Sequence, residues 1–488
     1  MSSTPTVDRT SGGTLRPDAV GFLDTLVIGL ASTSPAYSLA AVLGPVVALV
    51  GVHAPGVLLA SFVPMLLIAG AFAALDRVDP DCGTTFSWVT RAMGPWAGWI
   101  GGWAITMTGV LVLGSLAEVG VRFSLLALGL DGWAESTPVV MGLSVGVIVV
   151  MAAICVRGTE LSSRMQNGLI VAQTLALAVF AGVALTRGVR GDSPFGALTP
   201  SVAWLDPSGA GGAALTGGLL LGVFAYWGWE STVNLTEEAR GERTPGRAAV
   251  LSTVVLLLTY VGVATAVVSF AGADWLAENA DEEEAVFALL STEALGGWDW
   301  VVLVAVATSA LASTQTTIIP ASRTGLSMAR RAALPRRFAH ISPSRRTPDV
   351  STWWVAGIAV AWYVGVGLLS ENALYDSITG LSLLIALYYA LTGLACAVAF
   401  RRRLTRSVRD LLLLGVGPVA GAAMLTWLLV LSVRDLADPG NSYTGQAWLG
   451  VGPPLVIGVG VLGAGVVLML WWRRRDATFW RERPTIEV

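Results

Sequence analysis

Four small polar or helix-breaking residues in a row, Ser32, Thr33, Ser34 and Pro35, interrupt the hydrophobic run VIGLASTSPAYSLA, and Gly228 and Glu230 interrupt a second, GVFAYWGWESTVNL. In hydrocarbon an unpaired backbone group has no water to bond, so a broken span survives only where protein or a wet hollow lines the gap. Two such breaks at corresponding places in two halves of a chain are how a carrier builds a binding site near the bilayer midplane. The chemistry on offer is binding: free N–H groups and hydroxyls for an anionic group, aromatic faces for a cation, and a carboxyl for a proton.

Beyond the first break a half-helix begins near Ala36, and its free N–H groups and positive dipole end make a seat for a substrate carboxylate, with Ser32, Thr33 and Ser34 adding hydroxyls. The alternative is that Pro35 only kinks a helix whose hydroxyls bond its own backbone. At the second break Tyr226, Trp227 and Trp229 flank Gly228 and can cover a bound solute; alternatively they are interfacial aromatics. An ionised Glu230 inside hydrocarbon costs about 2.5 kcal/mol or more, so it is protonated, paired or facing water. A proton-sensing or gating role is expected for it, against a structural hydrogen bond across the break. Ser309, Ser313 and Thr314, with carbonyls of the first break, form an oxygen set suited to sodium, or else serve helix packing. Thr106, Thr108, Gln315 and Tyr388 are further candidates to reach the substrate.

Other charges read as local. Glu118 and Arg122 have the favourable i,i+4 order for an ion pair. Asp24 is placed at the interface, and Glu237 and Glu238 are expected to pair with loop arginines. The basic segment from Arg330 to Arg346 anchors topology or meets anionic lipid headgroups. His53 and His340 fall in opposite loops, and Cys82, Cys155 and Cys396 lack paired spacing, so no metal site, disulfide frame or nucleophile–base set is predicted.

These residues need apolar elements to hold them. The 488 residues are 54% hydrophobic and 13% charged, far from the balance of a soluble domain. Apolar runs place twelve spans near 21–50, 54–74, 97–128, 137–156, 165–186, 212–237, 248–272, 298–326, 351–369, 373–400, 411–432 and 447–472. Every basic residue is arginine, and all but Arg122, Arg187, Arg190 and Arg434 fall on the side of both termini, which predicts cytoplasmic ends in a plasma (inner) membrane. The acidic run Asp281–Glu284 then lies outside. Only 187–211, 273–297 and 327–350 are long loops, so no soluble catalytic domain fits. The expected organisation is an N-terminal tail (1–20, without the apolar core of a cleaved signal), a first repeat of spans 1 to 5 (21–186), an inverted second repeat of spans 6 to 10 (212–403), two peripheral spans (404–472) and a C-terminal tail (473–488).

The chain resembles the amino acid-polyamine-organocation (APC) superfamily through GLASTSPAYSLA, DPDCGTTFSWVTRAMGPWAGWIGGW, RMQNGLIVAQ, FAYWGWESTVNLTEEARGERTPGRAAV and SRTGLSMARRAALPRRFAHISPSRRTP, in that order. That resemblance implies an all-α, leucine-transporter-type fold of two five-helix inverted repeats, substrate held between spans 1, 3, 6, 8 and 10, and an aromatic gate at Trp227 or Tyr226. Two departures follow. Where relatives carry a glycine, small residue, glycine run, this chain has Thr33, Ser34 and Pro35, and proline has no N–H to offer. Where proton-coupled relatives carry a lysine, it has Gln173, which cannot titrate. The expected function is a secondary transporter moving an amino acid by alternating access with H+ or Na+ as coupling ion and no cofactor. Its partners are the small solute and membrane lipid, with no nucleic acid. A polyamine or other organic-amine carrier, or a non-transporting sensor, is the alternative. A membrane enzyme would need a reactive set at one depth, and a channel would need matched rings from symmetric subunits.

Overall fold

The computed structural model describes residues 14–279, 283–369, 371–442 and 444–481, and among them the fold is all α, with only two isolated β-bridges. In chain order the helices are α1 (Phe22–Thr33), α2 (Pro35–Val50), α3 (Ala54–Val78), α4 (Thr85–Met93), α5 (Pro95–Ala127) and α6 (Asp131–Ala134). Next come α7 (Thr137–Arg157), α8 (Thr159–Arg190), α9 (Gly212–Ala225), α10 (Thr244–Ala271), α11 (Ala273–Glu278) and α12 (Glu283–Leu295). The last are α13 (Trp300–Arg330), α14 (Asp349–Gly367), α15 (Glu371–Ala399), α16 (Val408–Asp410), α17 (Gly417–Asp435) and α18 (Pro453–Arg475). Proline at the first turn starts several of them, where its missing N–H would have had no partner anyway.

Among the described residues, 10 helical stretches are long and apolar enough to cross a membrane. The first runs through α1, α2 and α3, Phe22–Val78, and at 57 residues it is about 85 Å of helix against a hydrocarbon core of about 30 Å. Gly51, at φ +57°, opens the short 3-10 turn Gly51–His53 between α2 and α3. The stretch after 212 is not among the 10, because α9 stops at Ala225 and a 3-10 segment, Trp229–Leu235, takes over.

The centre of the molecule is α13 against α5, the most extensive helix pair, with α10 packed along α3 and α1 pressed between α10, α8 and the 3-10 segment. Close approach needs small residues: a Cβ on Gly29 of α1 would run into the Thr232 methyl of the 3-10 segment. The outer helices α17 and α18 pack on α15 and leave much of their apolar surface exposed. Past α18 the chain folds back, and Phe479 is buried against Phe86 of α4, ring centroids 5.5 Å apart.

Three sequence expectations are corrected. The 273–297 loop holds α11 and α12, and Asp281 and Glu282 of its acidic run lie outside the described residues. The span expected from 447 begins at Pro453, because Trp448 and Val451 first close a β-bridge. The segment after Asp79 is also helical: α4 was not expected, since its nine residues are too few to register as a span.

Candidate functional site

The first break is a single left-handed residue. Ser34, at φ 55° and ψ 65°, closes α1 by donating its N–H to Leu30 O (3.1 Å), and its own carbonyl accepts from the Ser38 N–H (2.8 Å). That conformation costs a non-glycine residue about 1–2 kcal/mol, so the surroundings must hold it. They do so through α13: the Ser309 Oγ lies 3.0 Å from the Ser34 Oγ, and the Ser313 hydroxyl donates to Ser32 O at 2.9 Å. Thr33 O is taken by the Ser38 hydroxyl (2.8 Å). The carbonyl of Ala31 loses its i+4 donor because residue 35 is proline. The first turn of α2 opens on Pro35, so its first position has no N–H and Ala36 carries the first one.

The second break spans Tyr226–Gly228. Gly228 takes φ +118°, and a Cβ there would lie 2.7 Å from Ser32 O, so the two breaks touch at this point rather than flanking a gap. Glu230, 1% exposed, folds back over the break. It accepts from the Tyr388 hydroxyl (2.5 Å), the Tyr389 hydroxyl (2.5 Å) and the Gly228 N–H (3.2 Å). Tyr388 accepts in turn from the Trp227 indole N–H at 2.5 Å. Trp229 stacks on Tyr389 at 5.4 Å and meets the edge of Phe72 at 5.1 Å. Tyr260 donates to Ala225 O (2.6 Å), while the Tyr226 hydroxyl is buried without a partner.

A cavity of about 260 Å³ lies along α2 and α9, toward the end of the bundle where α2 finishes. Tyr37 and Phe224 are its lining residues nearest the breaks in sequence, and Tyr37 is tied to α5 by its 3.0 Å contact with Ser115. The opposite end, where α1 starts and α13 finishes, is closed. Asn234 donates to Cys82 O (2.9 Å) and the Thr84 hydroxyl (3.2 Å), and Glu238 takes the buried guanidinium of Arg323 (Nε at 2.6 Å). Glu237 pairs with Arg330 (2.9 Å), and Val20 lies beside Ala239 through Val20 N–H to Glu238 O and Arg240 N–H to Val20 O.

The family model described as amino acid permease matches residues 20–468. The chain belongs to the amino acid permease family. An uncharacterized transporter of Mycobacterium tuberculosis is 28% identical over 349 residues, 70% of this chain and 72% of its own length. The human Asc-type amino acid transporter 1 is 26% identical over 425 residues, covering 85% of this chain and 73% of the relative. The branched-chain amino acid permease BcaP of Lactococcus lactis is 26% identical over 226 residues, 43% and 47% respectively. With its membrane-length helices, this family membership makes the chain an integral, multi-pass membrane protein of a transporter rather than an enzyme family.

Of the residues singled out in the sequence, this permease-family fold brings Ser32, Ser34, Ser309 and Ser313 together at one break and Trp227, Gly228, Glu230 and Tyr388 at the other. It does not draw in all of them. Thr33, Thr108 and Thr314 bond back to Gly29, Ala104 and Ala310 of their own helices. Gln315 accepts from Gln166 (2.6 Å) instead of facing a solute, and Gln173 is buried with neither amide atom bonded. Glu237 and Glu238 find their arginines on α13, not in loops, because α13 runs on to Arg330. Glu118 does pair with Arg122 (3.1 Å) and also accepts from Tyr363 (2.9 Å), and Asp24 caps the Gly21 N–H and accepts from Asn167. Tyr389, which holds half of the Glu230 carboxylate, was missed. The signal available was two adjacent phenol hydroxyls deep in an apolar run, where each must find a partner.

Proposed function

We propose that this permease-family member is a secondary active transporter that moves an amino acid across the plasma membrane by alternating access. The observation that carries this reading is the direct contact of two helix breaks, where Gly228 meets the Ser32 carbonyl just before the left-handed Ser34. The Ala36 N–H at the positive end of α2 suits a substrate carboxylate. The freed Ala31 carbonyl and the faces of Tyr226 and Trp227 suit an ammonium. Ser32, Thr33 and Ser34 supply the turn that holds these groups, and Thr108 lies on the adjoining α5.

The reading takes the 57-residue stretch as two crossings and the interrupted α9 segment as one more, giving twelve spans in two inverted five-span repeats, 21–186 and 212–403, with 404–472 peripheral. The arginine bias supports cytoplasmic termini. In that orientation the cavity faces outward and the Glu238–Arg323 end faces the cytoplasm. Trp227 serves as the gate and Glu230 as the group through which a proton biases it, with Trp229 stacked behind; Ser309 and Ser313 are the hydroxyls a sodium ion at the first break would use.

Uptake of labelled amino acids and polyamines into proteoliposomes, with pH and sodium gradients imposed separately, tests the proposal. Accumulation of an amino acid above its equilibrium level under one gradient is expected. Uptake confined to polyamines, or none under either gradient, would reject it.

A further inference from the structure

No residue of either helix break lines the cavity, which runs along α2 and α9 to α15 and the end of α17. The polar groups around it are set to accept. Asp435, exposed at the mouth, receives one side-chain hydrogen bond, from the Asn441 amide (3.1 Å), and among the described residues no cation pairs with it. The same amide donates to Asp435 O (3.0 Å), which leaves the Asn441 side-chain carbonyl open. Ser382 and Ser432 have given their hydroxyl protons to Thr379 O (2.7 Å) and Leu428 O (3.0 Å), so what they still offer is lone pairs. Pro45 removes the i+4 donor of the Ala41 carbonyl, and both residues line the space. Between these groups the wall is hydrocarbon, from Ala40, Val42, Leu220, Leu221 and Ile378.

We propose that this cavity is a second solute site, distinct from the helix breaks, and that it takes an organic ammonium with a hydrocarbon body. An ammonium brings a positive charge and three donors, and those are what Asp435, the Asn441 carbonyl and the two serine oxygens have no partner for. Seated at the mouth it keeps water on its open side, while its body gains from every CH₂ buried against α2 and α9. A zwitterionic amino acid is disfavoured here, since its carboxylate would meet Asp435 with no cation among the described lining residues to offset the repulsion. Asp438, three residues on and accepting from the Gly440 N–H (2.9 Å), has the same sign as Asp435. The volume, about 260 Å³, holds one small solute.

Calorimetric titration of the purified full chain in detergent with 2-phenylethylammonium, 2-phenylethanol and 3-phenylpropionate tests this. The ammonium should bind about fivefold more tightly than the alcohol of the same shape, the scale of one solvent-screened ion pair, and the carboxylate more weakly than either. Asp435→Asn should remove that preference and leave the alcohol unchanged, and added salt should shrink it in the wild type. No binding of the ammonium, or equal affinity for ammonium and alcohol in the wild type, would overturn the inference whether or not the variant folds. So would a preference that survives Asp435→Asn at low salt. These results leave the permease reading standing, because gradient-driven uptake of amino acids decides that separately.

Discussion

Glu230 meets the burial problem with hydrogen bonds rather than a counter-ion: two phenols and one N–H converge on its oxygens, and Trp227 is tied to the same network through Tyr388. A change in the charge of Glu230 therefore reaches the proposed gate through one shared hydroxyl. Glu230→Gln keeps an acceptor for one tyrosine but turns an NH₂ toward another, so uptake measured against external pH should lose part of its pH dependence while the protein stays folded. Trp227→Ala removes both the ring and the donor to Tyr388, and initial uptake rates should fall at least about tenfold, as for loss of a group that positions substrate. Unchanged transport in both variants would reject this site. At Gly228 the backbone itself is the constraint: Gly228→Ala strains a φ of +118° and drives a methyl into Ser32 O, a cost of about 1–3 kcal/mol that should show as a lowered unfolding temperature in detergent.

Helix ends, rather than helices, carry the proposed mechanism at the scale of elements. Removing the donor for Ala31 O by placing Pro35 after a left-handed Ser34 leaves α1 and α2 as separate rods that can tilt about one residue, and α13 pins the joint with two serines. At the other end the Glu238–Arg323 pair is buried on both sides, at 0% and 4% exposure, so it resists water while it holds. Breaking a buried pair from one side costs about 3–5 kcal/mol, because the remaining charge is stranded. Glu238→Gln is expected to open this closure, measured as faster reaction of the buried Cys82 with a membrane-permeant thiol reagent. An unchanged rate would show that the 238–323 contact does not hold the end shut. The sequence could show that spans 1 and 6 are interrupted, since Pro35 and Gly228 are local signals. It could not show that Glu237 and Glu238 pair with α13, because the helix end at Arg330 and the return of the chain at residue 238 meet only in three dimensions.

For the whole molecule, the arginine distribution predicts orientation: protease added outside intact cells should leave both termini uncut and digest them only after permeabilisation, whereas cleavage of either terminus in intact cells would refute the topology. Composition and hydropathy by themselves determined that the chain crosses membranes many times, where nearly every long helix lies, and where two of them break. These are local properties, set by the price of exposing backbone to lipid over windows of about 20 residues. Tertiary structure alone decided which polar groups meet: that Tyr389 shares Glu230, that Gln315 is spent on Gln166, and that Ser32 O abuts Gly228. The reason is that a helix of 3.6 residues per turn sends its polar side chains in every direction, and only the packing of α13 against α5 and α10 against α3 fixes which of them face inward together.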